Sequence, residues 1–146
     1  MRRILAAIVV AVMAAGGTLA TTAEAAAARL VATIDLSDQT MRVSLGKKTL
    51  YNWAISSGKR GYRTPTGTYR PGRMYREYYS RKYNMSPMPH SIFFRGGYAI
   101  HGTGYTRQLG SPASHGCVRL HPANARTLYN LVRKYGRGNT RIVVRR

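Results

Sequence analysis

The chain opens on an apolar run and then changes rhythm. From Leu30, apolar Leu30, Ala32, Ile34 and Leu36 fall at every second position, interleaved with Val31, Thr33 and Asp35, the period of a half-buried β-strand. Ser37-Asp38-Gln39 is a turn signal, and Met41, Val43 and Leu45 resume the alternation, so the two runs predict a hairpin. Gly46-Lys47-Lys48 turns the chain into a third strand over residues 49–56, with Trp53 as its core anchor. After a loop at 57–61, Thr64-Pro65-Thr66-Gly67 imposes a fixed turn before a further short strand. Ile92-Phe93-Phe94, the turn Arg95-Gly96-Gly97 and Tyr98-Ala99-Ile100 read as a strand pair, or one strand with a turn, leading straight into His101. Val118 and Leu120 flank Arg119 as a short strand. Pro122 then starts the one convincing helix, since proline is tolerated in a first turn. Ala125, Leu128, Leu131, Val132 and Tyr135 keep helical spacing, and Gly136 is the C-cap. A last strand covers 140–144. Many short strands and one helix predict a mainly β fold, a β-sandwich or barrel-like sheet.

The opening run changes where this domain is expected to work. Arg2-Arg3, a short apolar stretch from Ile4 and the small-residue triplet Ala23-Glu24-Ala25 form a secretory signal over residues 1–25. The domain is then residues 26–146, exported to the periplasm or cell wall, and the stretch is too short and Ala/Gly-rich for a good membrane span.

Charge narrows the partners. The whole chain carries 24 Lys and Arg against 4 Asp and Glu, net +20. Without Arg2, Arg3 and Glu24 it keeps 22 basic and three acidic residues, net +19. Such a field attracts polyanions. Export argues against nucleic acid as the biological partner and for wall polymers or anionic lipids. General solubility in an anionic envelope accounts for most of the charge.

Residues 70–90 follow neither period. Tyr75, Tyr78, Tyr79 and Tyr83 interleave with Arg73, Arg76, Arg81 and Lys82, and Met74, Met85 and Met88 lie close by. The segment reads as a loop or loose hairpin over a site, in which Tyr79 and Tyr83 contact a long substrate. The plainer alternative is a solvated basic hairpin.

The candidate chemistry centres on Cys117, the sole cysteine. In an exported chain a structural cysteine normally has a disulfide partner, and this one has none within the molecule. It lies in Ser114-His115-Gly116-Cys117-Val118-Arg119, sixteen residues after His101. A thiol becomes a useful nucleophile when a base takes its proton, and His101, at a strand end, is the candidate base. His115, two residues before the thiol, shares its face if the segment is extended; it either polarises the thiol or oxyanion or holds the loop. Gly116 lets a carbonyl approach the backbone. The overall positive charge is expected to favour the thiolate weakly. Arg119 offers a planar fork to a substrate carboxylate, or else packs structurally. His90 and His121 read as structural or surface groups. The four possible ligands His101, His115, Cys117 and His121 match no usual zinc framework, so no metal is expected.

At these residues the sequence resembles the L,D-transpeptidase catalytic domain, the YkuD family. His101-Gly102-Thr103, the spacer and Ser114-His115-Gly116-Cys117-Val118-Arg119-Leu120 carry the resemblance. Ile34-Asp35-Leu36-Ser37 with Gln39 and Met41, Ser56-Ser57-Gly58, Thr64-Pro65-Thr66-Gly67 and Met88-Pro89 extend it over about residues 29–144. Arg119 departs from branches of the family that carry asparagine. The resemblance implies a mixed β-sandwich and two-step acyl transfer on peptidoglycan stem peptides, without a cofactor. Cys117 would form a thioester with the third stem residue and expel D-alanine. His101 would move the protons, oriented by the Gly102 carbonyl, and backbone N–H groups near Gly116-Cys117 would hold the oxyanion. Ser114, Gly116 and Arg119 would bind substrate. The acceptor amine would come from another stem or from an outer-membrane protein. Two other functions remain open at this stage: a wall-peptide hydrolase or carboxypeptidase using water, and a non-catalytic cationic wall-binding protein.

Overall fold

The computed structural model describes residues 28–146; the signal assigned to residues 1–25 and a mature start at Ala26 lie outside the described residues. The strands are β1 (Leu30–Asp35), β2 (Thr40–Leu45), β3 (Lys48–Ala54), β4 (Gly67–Tyr69), β5 (Met74–Tyr75), β6 (Tyr79–Ser80), β7 (Ser86–Pro87), β8 (Ser91–Arg95), β9 (Tyr98–Gly102) and β10 (Val118–Leu120). Helix α1 (Pro122–Tyr135) and β11 (Thr140–Arg145) complete the chain. One sheet runs β3-β2-β1-β11-β4 and a second runs β10-β9-β8-β5; β6 and β7 form a small separate hairpin.

The alternation that predicted the first hairpin is what builds the core. Leu30, Ala32, Ile34, Met41 and Val43 are fully buried. Parallel pairing of β1 with β11 sets Ala32 beside Ile142 and Ile34 beside Val144. The second sheet adds Ile92, Phe94, Ile100, Val118 and Leu120 to the same apolar cluster. The helix closes it with Ala125, Leu128, Tyr129 and Val132, one face of a 3.6-residue period. Its N-terminus is capped by His121, whose Nδ1 accepts the Ala123 N–H at 3.2 Å. The Gly136 N–H donates to the Val132 carbonyl at its C-terminus.

Two expectations need adjustment. Trp53 is only half-buried and stacks on Tyr51, with ring centroids 4.8 Å apart. Its strand β3 lies at the sheet edge, so smaller residues of the inner strands anchor the core. The Tyr-rich segment is a loose hairpin of two-residue strands, with a 3-10 turn at Arg81–Tyr83 and left-handed Asn84 and Met85.

Candidate active site

The two-residue period of β9 and β10 decides which side chains meet. The strands pair in parallel, with Ile100 beside Val118 and His101 beside Arg119. Ile100, Val118 and Leu120 point into the core. Alternate residues must face the opposite way, which puts Ala99, His101 and Arg119 on the outer face, and Cys117 with them. There Cys117 packs against a second, smaller cluster of Met88, Phe93 and Ala99. A cavity of about 280 Å³ opens on this face, lined among others by Cys117, His101, His115, Ser114, Arg119 and Tyr83.

His101 is 5% exposed, and its Nδ1 lies 2.7 Å from the Gly102 carbonyl oxygen. A carbonyl can only accept, so Nδ1 carries the proton and Nε2 is left with its lone pair. Burial pushes the imidazole pKa down to about 4; the Gly102 hydrogen bond opposes this and the Arg119 charge adds to it. The ring is therefore neutral at neutral pH. Gly102 has no room for a side chain: a Cβ would lie 3.1 Å from Pro89 Cγ and 3.2 Å from Pro122 Cα.

The loop before Cys117 is wired from several distant segments. Ser114 Oγ donates to the Cys117 carbonyl and accepts the Gly116 N–H at 3.0 Å. Buried Thr64 donates to the Gly116 carbonyl at 2.8 Å and accepts the Gly58 N–H at 3.0 Å. Gly116 sits at φ +118°, where a Cβ would meet the Tyr98 ring at 2.5 Å. Ser56 exchanges two backbone hydrogen bonds with Arg119, of 2.9 and 3.0 Å. Gln39, buried, bonds Ser57 twice: Nε2 donates to Oγ at 2.7 Å, and Oε1 accepts the backbone N–H at 3.0 Å.

Two expectations are affected. The Gly116 N–H is already donated to Ser114 Oγ, which turns Ser114 toward the loop itself. Nor does the positive charge decide the thiol pKa. Burial raises it, and the Ala99 N–H and Arg119 offset that only in part. Charges in water are screened, whereas desolvation acts on the sulfur directly.

His115 stands between two tyrosines. Tyr83 stacks on it at 4.5 Å between centroids, and Tyr62 meets it edge-on at 4.7 Å. Its pKa is lowered by burial first, then by Lys59, Arg119 and Lys82. Tyr83 thus bridges the Tyr-rich hairpin to the cysteine loop. Tyr79 does not reach the cavity; it pairs with Pro87 and is half-exposed. Arg119 donates to Gln108 Oε1 at 3.2 Å, and its guanidinium lies 5.7 Å from the Tyr105 ring centroid. Among the described residues its guanidinium meets no carboxylate within ion-pair distance. His90 packs edge-on to Tyr129. Among the described residues no group of three or more His, Cys, Asp or Glu converges to hold a metal ion.

Thr64, Gln39, Tyr62, Tyr105 and Gln108 were not singled out as site residues by sequence. Thr64 and Gln39 lay within stretches resembling the family, which was the available signal. Nothing in the sequence marked the other three.

Comparison with known proteins gives a consistent answer. The sequence model of the YkuD family, the L,D-transpeptidase catalytic domain, matches residues 29–144. Among curated proteins none matches significantly. The fold superimposes on an L,D-transpeptidase from Mycobacterium smegmatis with TM-score 0.71 at 23% identity, covering 82% of this chain and 59% of that one. For an L,D-transpeptidase from Stackebrandtia nassauensis the values are 0.71, 26%, 81% and 56%. L,D-transpeptidase 3 from Mycobacterium tuberculosis, in complex with a faropenem-derived adduct, gives 0.71, 20%, 82% and 61%. The chain thus spans less than two thirds of the length of these neighbours. A match that runs from the first strand to the last, with the cysteine loop and histidine strand inside it, places this chain in the L,D-transpeptidase catalytic-domain (YkuD) family.

Proposed function

We propose that the protein is a peptidoglycan L,D-transpeptidase acting through a Cys117 thioester. The observation that carries this reading is the shared outer face of β9 and β10. There a partly buried thiol and a neutral imidazole, its Nε2 free to accept, border one cavity. Cys117 Sγ attacks the carbonyl carbon of the third stem residue while His101 Nε2 takes the thiol proton. The tetrahedral oxyanion draws on backbone N–H groups, the Cys117 N–H first, since that of Gly116 is engaged. The C–N bond to D-alanine breaks, its nitrogen receives the proton from His101, and D-alanine leaves. The acceptor amine then gives its proton to His101, attacks the thioester, and the C–S bond breaks. Cys117 regains a proton, leaving a new amide. Arg119, held by Gln108 and Tyr105, offers its charge to a substrate carboxylate. No cofactor enters.

A raised thiol pKa and a lowered imidazole pKa favour a neutral pair at rest. The proton then moves during attack rather than beforehand. The acceptor is another stem peptide, giving a 3→3 cross-link, or an amine of an outer-membrane protein; water in that role gives hydrolysis instead. This work is done after export, in the periplasm or wall. Faropenem is the first test, because a neighbouring fold carries an adduct derived from it. The protein should gain a covalent mass on Cys117, and C117A should gain none. Muropeptide masses after incubation with purified sacculi then separate cross-linked from hydrolysed products. An adduct retained by C117A, or sacculi left unchanged, would sink the reading.

A further inference from the structure

A second hollow, about 400 Å³, shares no lining residue with the catalytic cavity. Four cations border it: Lys59, Arg60, Arg63 and Arg146. Three come from one tight turn, in which the Tyr62 N–H donates to the Lys59 carbonyl at 2.8 Å. Gly58 lets that turn close, since a Cβ there would lie 1.8 Å from the Tyr62 carbonyl oxygen. The fourth comes from the opposite side, where the Leu36 N–H donates to the Arg145 carbonyl at 2.9 Å and sets Arg146 beside the wall. No Asp or Glu lines the hollow. Asp35, adjacent in sequence, is engaged elsewhere: it pairs with Arg145 at 3.3 Å and accepts the Ser37 and Asp38 N–H groups at 3.0 Å each. Gathering like charges around one concavity is unfavourable unless an anion joins them. The Thr64 hydroxyl on the wall is bonded internally and Ser57 Oγ accepts from Gln39. Lys59 Nζ lies 5.4 Å from the Tyr62 ring centroid, which leaves the guanidinium groups of Arg60, Arg63 and Arg146 as the charged donors bordering the hollow.

We propose that this hollow binds a phosphate group, borne by a phosphorylated envelope polymer or by a lipid headgroup. A carboxylate takes one arginine fork in its plane. A tetrahedral phosphate accepts from several directions at once, as cations on two sides require. The site stands apart from the transfer reaction and holds whether or not Cys117 is the nucleophile. It also touches the cysteine loop, because Thr64 lines the hollow and donates to the Gly116 carbonyl at 2.8 Å. An occupied hollow would anchor the domain at a phosphate-rich surface and brace the strap behind the thiol.

The probe is inorganic pyrophosphate, titrated by calorimetry at about 0.15 M salt, where long-range attraction is screened. Saturable one-site binding and a raised melting temperature are expected. R60S/R63S should weaken binding tenfold or more, and Arg146→Ser is a second variant outside the turn. K47S/K48S removes the same charge from an exposed turn and should change binding less than threefold. Cosedimentation with phosphatidylcholine vesicles, with and without phosphatidylglycerol, identifies the source. Selective loss of phosphatidylglycerol binding in R60S/R63S points to a lipid phosphate. Pyrophosphate binding without it points to a soluble or polymer-borne one. If neither probe binds saturably, or both double variants lose binding equally, the charge is only diffuse attraction and the site does not exist.

Discussion

A base that must accept a proton has to be uncharged beforehand, and at His101 burial does this. Its pKa near 4 against an ordinary 6.5 makes it a stability group as well as the proposed base. Between those values the unfolded chain binds a proton that the folded chain refuses, so stability rises with pH across this window. It is complete above about 6.5 and lost as pH falls toward 4. The span is worth about 3 kcal/mol at most. His90 and His115, also lowered, add in the same direction. Few carboxylates compete, since the described residues hold only Asp35, Asp38 and Glu77, and Asp35 titrates below the usual range because the Asp38 N–H bonds it. Urea midpoints should therefore drop between pH 6.5 and 4, and H101Q should flatten that slope. The same ring sets the acid limb of faropenem acylation, which should fall as pH passes below about 4. His101→Ala should slow acylation by about 10²–10⁴-fold at neutral pH; an undiminished rate would remove it as the base.

Secondary-structure elements hold the site through hydrogen bonds that cross long stretches of chain. Thr64 lies 52 residues before Gly116 and ties its carbonyl; Gln39 lies 18 before Ser57 and ties its hydroxyl and its N–H. Thr64→Val keeps the shape but strands the Gly58 N–H and the Gly116 carbonyl. That should cost about 1–3 kcal/mol for the unsatisfied groups, read as a lower melting temperature, with slower faropenem acylation as the loop loosens. Gly116→Ala adds a methyl that would sit 2.5 Å from the Tyr98 ring, at a φ that side chains rarely adopt. It should destabilise by about 1–3 kcal/mol. What was legible in sequence follows from the same physics. Period-two alternation in β1 and β2 reports burial directly, and the helix announces itself through Pro122, its spacing and Gly136. His101 and Cys117 stood out because an unpaired thiol among histidines and glycines is an uncommon pattern. Thr64 as a strap was not, since a lone threonine in a turn looks the same whatever its hydroxyl touches. Tyr79 and Tyr83 looked alike four residues apart, yet only Tyr83 reaches the cavity. The two-residue strands and left-handed residues between them carry no repeat from which facing could be read.

At the scale of the whole molecule the question is what the positive field does beyond solubility. Its sign is plain in the sequence; its placement is not, because composition cannot say that Lys59, Arg60, Arg63 and Arg146 converge while Arg145 is neutralised by Asp35. A substrate that is itself a polyanion should be drawn in by long-range attraction, and a small anion much less so, since the interaction grows with the charge on each partner. Screening separates the two, because the Debye length shrinks from about 10 Å at 0.1 M to about 3 Å at 1 M. Binding to purified sacculi should weaken more than tenfold across that range, and turnover of sacculi should fall with it. Faropenem acylation of Cys117 should change by less than threefold, because it depends on the buried His101 ring, the partly buried thiol and Arg119 at short range. Parallel losses in both assays would mean that salt disturbs the site itself. Unchanged sacculus binding would mean that contacts in the cleft, not the surface charge, hold the protein on sacculi.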